Sequence, residues 1–85
     1  MGEQGGARPG AARRALVTFP ATTAALAAEA ALGAAGLPER LVPVPGTVRA
    51  GCGLAWSTPP ELLPQVLSAL ERARIPWEDT AEVWL

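Results

Sequence analysis

Cys52, the one cysteine of the chain, is its strongest candidate for a reactive residue. Gly51 and Gly53 flank it, so the backbone can bend sharply there and no bulky neighbour shields the sulfur. Arg49 lies three residues before it, and a nearby positive charge favours the thiolate, the nucleophilic form of cysteine. This combination suits a thiol that accepts a group and passes it on. It also suits a small packing residue at the start of a strand, because free cysteine is often buried.

The rest of the composition removes most other kinds of site. The chain has no His, so neither a His-dependent catalytic triad nor a Cys/His zinc site can form, and we expect no metal or other cofactor. A single cysteine cannot form an intrachain disulfide, which predicts a reducing compartment and a cytoplasmic protein. The net charge of −1 and the absence of Lys argue against a nucleic-acid partner. No apolar run approaches the ~20 residues of a membrane span, so we expect no membrane partner.

The chain divides near residue 14. Residues 1–14 have the sequence MGEQGGARPGAARR, which contains four of the nine glycines and no apolar periodicity, and this predicts a flexible tail. We expect residues 15–85 to form a single domain. A chain of 85 residues can form only a small hydrophobic core, because a domain of this size buries only about 60% of the surface that its unfolded form exposes.

The first half of this domain predicts a strand, a helix and a second strand. Residues 15–19 are β-branched and aromatic, which favours a strand. Thr22 and Thr23 offer N-cap oxygens to an alanine-rich helix, which Gly36 would end in a left-handed conformation. Pro43 lacks an amide donor and therefore predicts that the second strand lies at a sheet edge.

The second half predicts the same elements in the order strand, helix, strand. Thr58 and Glu61 have the spacing of a capping box, followed by an apolar stripe of period 3.6, within which Pro64 should kink or delay the first turn. Arg72 and Arg74 suit the negative end of that helix. The second strand of the first half is predicted over residues 40–44. The two strands of the second half are predicted from Cys52 to Ser57 and over residues 80–85. The order β-α-β-β-α-β is typical of a ferredoxin-like two-layer sandwich, an α+β fold.

This topology brings Cys52 towards the first helix. Right-handed crossovers make the first and second strands parallel, so the loop over residues 45–51 emerges at the edge where the first helix begins. Cys52 is then expected near the positive end of that helix dipole, with Thr22 and Thr23 as nearby donors. Arg49, Gly51 and Gly53 complete the predicted site.

Three segments carry a resemblance to a known family: LVTFPATTAALAAEAAL, GLPERLVPVP and CGLA, the last beginning at Cys52. From Leu16 to Leu70 the chain resembles the selenium/sulfur carrier protein-like family of small ferredoxin-like proteins. The resemblance implies that Cys52 holds a persulfide or perselenide and passes it from a donor protein to an acceptor protein, without turnover of its own. The chain departs from the family pattern at Gly46, where members have Arg, and at residues 49–51, where they have Ser.

An alternative function uses a surface instead of the thiol. One face of a two-layer sandwich is not covered by helices, and Trp56 or Trp84 on that open sheet face would form an exposed apolar patch. This predicts a homodimer, or a non-catalytic module for protein interaction or ligand sensing. The acidic residues Glu78, Asp79 and Glu82 are interpreted as a solvated surface.

Overall fold

The order of the elements confirms the predicted ferredoxin-like α+β fold. The computed structural model describes residues 13–37, 40–44 and 51–84. A 3-10 turn, Pro60–Leu62, precedes the second helix. The strands and helices are β1 Arg13–Thr18, α1 Thr22–Ala34, β2 Arg40–Pro43, β3 Leu54–Thr58, α2 Leu63–Arg72 and β4 Asp79–Trp84.

The four strands form one antiparallel sheet in the order β2-β3-β1-β4. Strands β1 and β2 are both antiparallel to β3, so they are parallel to each other, as the crossover rule predicted. Strand β2 lies at an edge, which confirms the prediction from Pro43. The register pairs Thr18 with both Ala55 and Asp79, so the end of β1 lies between the starts of β3 and β4. We call this end of the sheet, where Cys52 precedes β3, the Cys52 end.

Both helices pack on one face of the sheet. Small side chains at Ala25 and Ala28 are fully buried and let α1 lie close to the strands. Trp56, only 1% exposed, fills the largest part of this core together with Phe19. The hydrophobic effect of this burial, about 25 cal/mol per Å² of apolar surface removed from water, is the main contribution to the stability of a domain this small. The core cluster contains Val17, Phe19, Ala24, Ala25, Ala28, Leu32, Trp56, Val66, Ala69 and Leu70.

The strand boundaries differ from the prediction by one or two residues. Strand β1 begins at Arg13 instead of residue 15, because Arg13 and Arg14 pair with Trp84 and Val83 of β4. Strand β4 begins at Asp79, which pairs with Thr18. Cross-strand hydrogen bonds decide these ends, and they are not visible in the apolar pattern of one segment. Residues 1–12 lie outside the described part of the chain.

The two predicted side-chain caps are wrong. The N-cap of α1 is Ala21, which has an extended backbone, and no side chain caps the helix. Thr22 and Thr23 are already helical and are exposed. Thr58 is the last residue of β3, fully buried and paired with Ala15, so it is not the cap of α2. The effect predicted for Pro64 is confirmed, because the α-helix begins only at Leu63, after the 3-10 turn.

The helices end in the same way with different residues. Gly36 has φ +76°, which confirms the left-handed end predicted for α1, and the amide of Leu37 bonds back to the Leu32 carbonyl. At the end of α2, Arg74 takes the corresponding position with φ +58°. Ile75 then donates to the Leu70 carbonyl at 2.9 Å, as Leu37 does at the end of α1.

Neither Trp56 nor Trp84, which were predicted to form an exposed apolar patch, lies on the sheet face opposite the helices. Trp56 pairs with Val17 and Trp84 with Arg13, and alternate residues of a strand share a face, so both indoles lie on the helix side. Trp56 is buried in the core, whereas Trp84, 61% exposed, lies at the β4 edge. The opposite face carries Leu16, Thr18, Ala55 and Ser57, which are between 0% and 4% exposed, so this face is not open to solvent at the two central strands. This part of the prediction is wrong, and dimerisation itself stays a prediction.

Candidate functional site

Cys52 is a free cysteine that is half-buried at the Cys52 end of the sheet. Its side chain packs against the core cluster. The thiol donates a hydrogen bond to the carbonyl oxygen of Leu54, at an Sγ–O distance of 3.6 Å. The sulfur is therefore held against the start of β3 while part of the residue stays exposed to solvent. A thiol in this position can lose its proton and attack a group that docks at this end of the domain.

Gly51 is needed because its backbone lies against that of Pro20. A Cβ added at residue 51 would stand 2.8 Å from the Pro20 carbonyl oxygen, closer than real Cβ atoms approach. Pro20 lies two residues before Thr22, the first residue of α1. The contact confirms that the segment before β3 meets the turn between β1 and α1, as the topology predicted.

Gly53 is needed for a different reason. Its φ of +77° lies in the left-handed region, which residues with a side chain rarely adopt. Its carbonyl oxygen accepts a hydrogen bond from the amide of Val44, at 3.1 Å, across the end of the β2–β3 pair. The glycine after Cys52 therefore turns the chain into β3, and the glycine before it allows the close approach to Pro20.

Glu78 is the residue of this site that the sequence analysis missed. Its Oε1 accepts a hydrogen bond from the amide of Gly51, at 3.1 Å. Its own amide donates to the Thr18 carbonyl at 2.7 Å, and the Thr18 hydroxyl donates to the Asp79 carbonyl at 3.2 Å. Sheet topology alone places residue 78 beside the end of β1. No sequence signal distinguishes the carboxylate from the exposed acids near it.

Two of the other predicted supporting residues, Thr22 and Thr23, lie in the described part of the chain and have no hydrogen bond to the thiol there. Within the described part of the chain, Cys52 Sγ is bonded to Leu54 and to neither Thr22 nor Thr23. The start of α1 is nevertheless close to this segment through the contact between Gly51 and Pro20. Arg49 lies outside the described residues.

The two arginines at the end of α2 do not extend the site through any observed bond. Both are exposed, and Arg72 donates a hydrogen bond to Ser68 Oγ at 2.9 Å, one turn earlier in the same helix. Among the described residues, Arg72 therefore bonds within α2, and not to the segment that carries Cys52.

Fold and site together define a class: a small ferredoxin-like α+β domain with one half-exposed cysteine on a glycine-flanked segment at the end of its sheet. A family model described as "Putative Se/S carrier protein-like" matches residues 14–82, a span that includes all of the described site. The chain belongs to this family. No curated protein and no solved structure gives a match. Neither helix in the described part of the chain is long and apolar enough to cross a membrane.

Proposed function

We propose that the protein carries sulfur or selenium as a persulfide or perselenide on Cys52. The observation that supports this most is the position of the thiol in a chain that belongs to the carrier-like family. Cys52 is half-buried and is held between two glycines with separate structural reasons to be there.

The proposed transfer needs no oxidant. The Cys52 thiolate attacks the terminal sulfur of a donor persulfide, and a new S–S bond forms as the bond to the donor sulfur breaks. The donor leaves as a thiolate and takes up the proton that Cys52 lost, so the electrons balance. A second exchange, in which an acceptor thiolate attacks the terminal sulfur, returns Cys52 to its starting form. Perselenide follows the same sequence of bonds.

In this proposal the protein is a carrier without catalytic turnover and without a cofactor. Its partners are a donor protein and an acceptor protein that present sulfur at the Cys52 end of the sheet. We place it in the cytoplasm, where thiols stay reduced. The alternative, an interaction or sensing module that uses tryptophans on the open sheet face, is less well supported because Trp56 and Trp84 lie on the helix side.

Loading by a small persulfide tests the proposal. The chain has one cysteine, so a sulfur atom added to the intact protein as a persulfide must reside on Cys52. Incubation with glutathione persulfide is expected to add the mass of one sulfur atom to the native protein, and reduction should remove it. Cys52→Ser is the matched control and should gain nothing. A native protein that stays unmodified while a control thiol is loaded would contradict the proposal.

A further inference from the structure

We infer that Glu78 is a positioning residue, which holds residues 51–53, the Cys52 segment, in place during sulfur transfer; this inference rests on the proposed function. Glu78 lies immediately before β4, and its carboxylate binds the amide of Gly51, one residue before the cysteine. It does not act on the sulfur itself. It acts through the backbone of the segment that carries the thiol.

The backbone of Glu78 is itself fixed to the centre of the sheet. The amide of Glu78 donates to the Thr18 carbonyl at 2.7 Å, and Thr18, only 1% exposed, belongs to the central strand β1. A bond from Glu78 therefore connects the Cys52 segment to a buried strand. An exposed acid without such an anchor would transmit no constraint to the segment.

The segment is attached on both sides of the cysteine. On one side, the Gly51 amide binds Glu78; on the other, the Gly53 carbonyl accepts from Val44. Both attachments use backbone atoms of the glycines. They fix the direction of Cys52 without using its sulfur, whose one hydrogen bond in the described part of the chain is the long contact with the Leu54 carbonyl.

Thiol–disulfide exchange depends strongly on orientation, because the attacking sulfur must approach along the S–S bond that breaks. Fixing a reacting group in advance lowers the entropic part of the barrier. A small alkylating reagent approaches from many directions and gains little from a fixed thiol. Removal of the Glu78 carboxylate should therefore slow transfer from a bulky donor much more than it slows alkylation.

Two substitutions separate the reach of Glu78 from its charge. Glu78→Gln keeps an oxygen at the same distance from the Gly51 amide but removes the charge. Glu78→Asp keeps the charge and is shorter by one methylene, so it should not reach. Glu78→Ala removes both. Glu82→Ala is the matched control, because it removes an exposed acid further along β4 that pairs with Arg13.

The experiment measures two rates on each variant: sulfur loading from a persulfide-bearing donor protein, and alkylation by iodoacetamide. We expect loading to fall at least about fivefold in Glu78→Ala and Glu78→Asp, with alkylation changed by no more than about twofold. Glu78→Gln and Glu82→Ala should load at close to the wild-type rate. Near-ultraviolet circular dichroism of the tryptophans reports whether each variant is folded, and Glu78→Asp provides the test if Glu78→Ala is not.

The outcomes distinguish this inference from the function on which it rests. If the wild-type protein loads and folded Glu78→Asp loads equally fast, the positioning role is wrong and the carrier proposal stands. If loading and alkylation fall by the same factor in Glu78→Ala, Glu78 affects only access to the thiol, and the inference is again wrong. If the wild-type protein takes up no sulfur, the carrier proposal has failed and this inference fails with it.

Discussion

Gly51 and Pro20 are in backbone contact, and this contact joins the segment before Cys52 to the turn that begins α1. A Cβ at residue 51 would stand 2.8 Å from the Pro20 carbonyl oxygen and 3.3 Å from its carbonyl carbon and Cα. The atoms in the way belong to the backbone, so no side chain can rotate aside. Gly51 follows Pro20 by 31 residues in the sequence, so the position of Cys52 at the rim of the domain depends on a contact between distant parts of the chain. Gly51 is therefore the residue to alter first.

Gly51→Ala is expected to displace the Cys52 segment and to lower the free energy of unfolding by about 1–3 kcal/mol, the usual cost of forcing extra atoms into a packed contact. Urea unfolding, followed by tryptophan fluorescence, to which the buried Trp56 contributes, measures this. Gly33→Ala is the control, because a Cβ at that helical position meets nothing within 4 Å. It should be neutral or stabilising by up to about 1 kcal/mol. Equal stability of the two variants would contradict the contact.

Arg74→Gly is expected to stabilise the protein. Arg74 ends α2 with φ +58°, a conformation that costs a residue with a side chain about 1–2 kcal/mol. Glycine removes that cost and loses part of the gain in the unfolded chain, which leaves about 1 kcal/mol. Gly36→Arg, the reverse change at the end of α1, should destabilise by a similar amount, because Gly36 has φ +76°. A drop in the urea midpoint for Arg74→Gly would show that the arginine makes a compensating contact.

Thr58→Val is expected to stabilise the protein by about 1 kcal/mol, because valine has nearly the same shape and removes a buried polar atom. Thr58 is fully buried, and its Oγ1 has no hydrogen-bond partner in the described part of the chain. Thr18→Val is the matched control: Thr18 is 1% exposed, but its hydroxyl donates to the Asp79 carbonyl at 3.2 Å.

The control substitution should therefore destabilise by about 1 kcal/mol, since it leaves the Asp79 carbonyl without its partner. Thermal unfolding of both variants measures the difference. If the two valines changed the melting temperature in the same direction, hydrogen bonding would not be the term that separates these two threonines.

The fold could be predicted from the sequence because its signals are local and agree with one another. Pro43 marked the edge strand, Gly36 ended α1, and the element order then fixed which strands are parallel. The caps could not be predicted, because Thr58 offers the same hydroxyl to a helix or to a strand, and pairing with Ala15 decides for the strand.

The candidate site was predictable only in part, for a similar reason. The topology placed Cys52 near the start of α1, and the glycines on either side of it indicated an unusual backbone. The role of Glu78 depends on a contact between residues 27 positions apart in sequence, which no local pattern encodes. The face of Trp84 depends on the register between β1 and β4, and a shift of one residue would have reversed it.

The most direct test of the carrier account follows one sulfur atom through both exchanges. The native protein is loaded with isotopically labelled sulfane sulfur from glutathione persulfide, separated from the donor, and then mixed with free cysteine as the acceptor. The account predicts that the intact protein gains one labelled sulfur atom and that the label then appears in cysteine persulfide, with no uptake by Cys52→Ser. A native protein that never acquires the label, or that acquires it and does not release it to the acceptor thiol, would contradict the central claim.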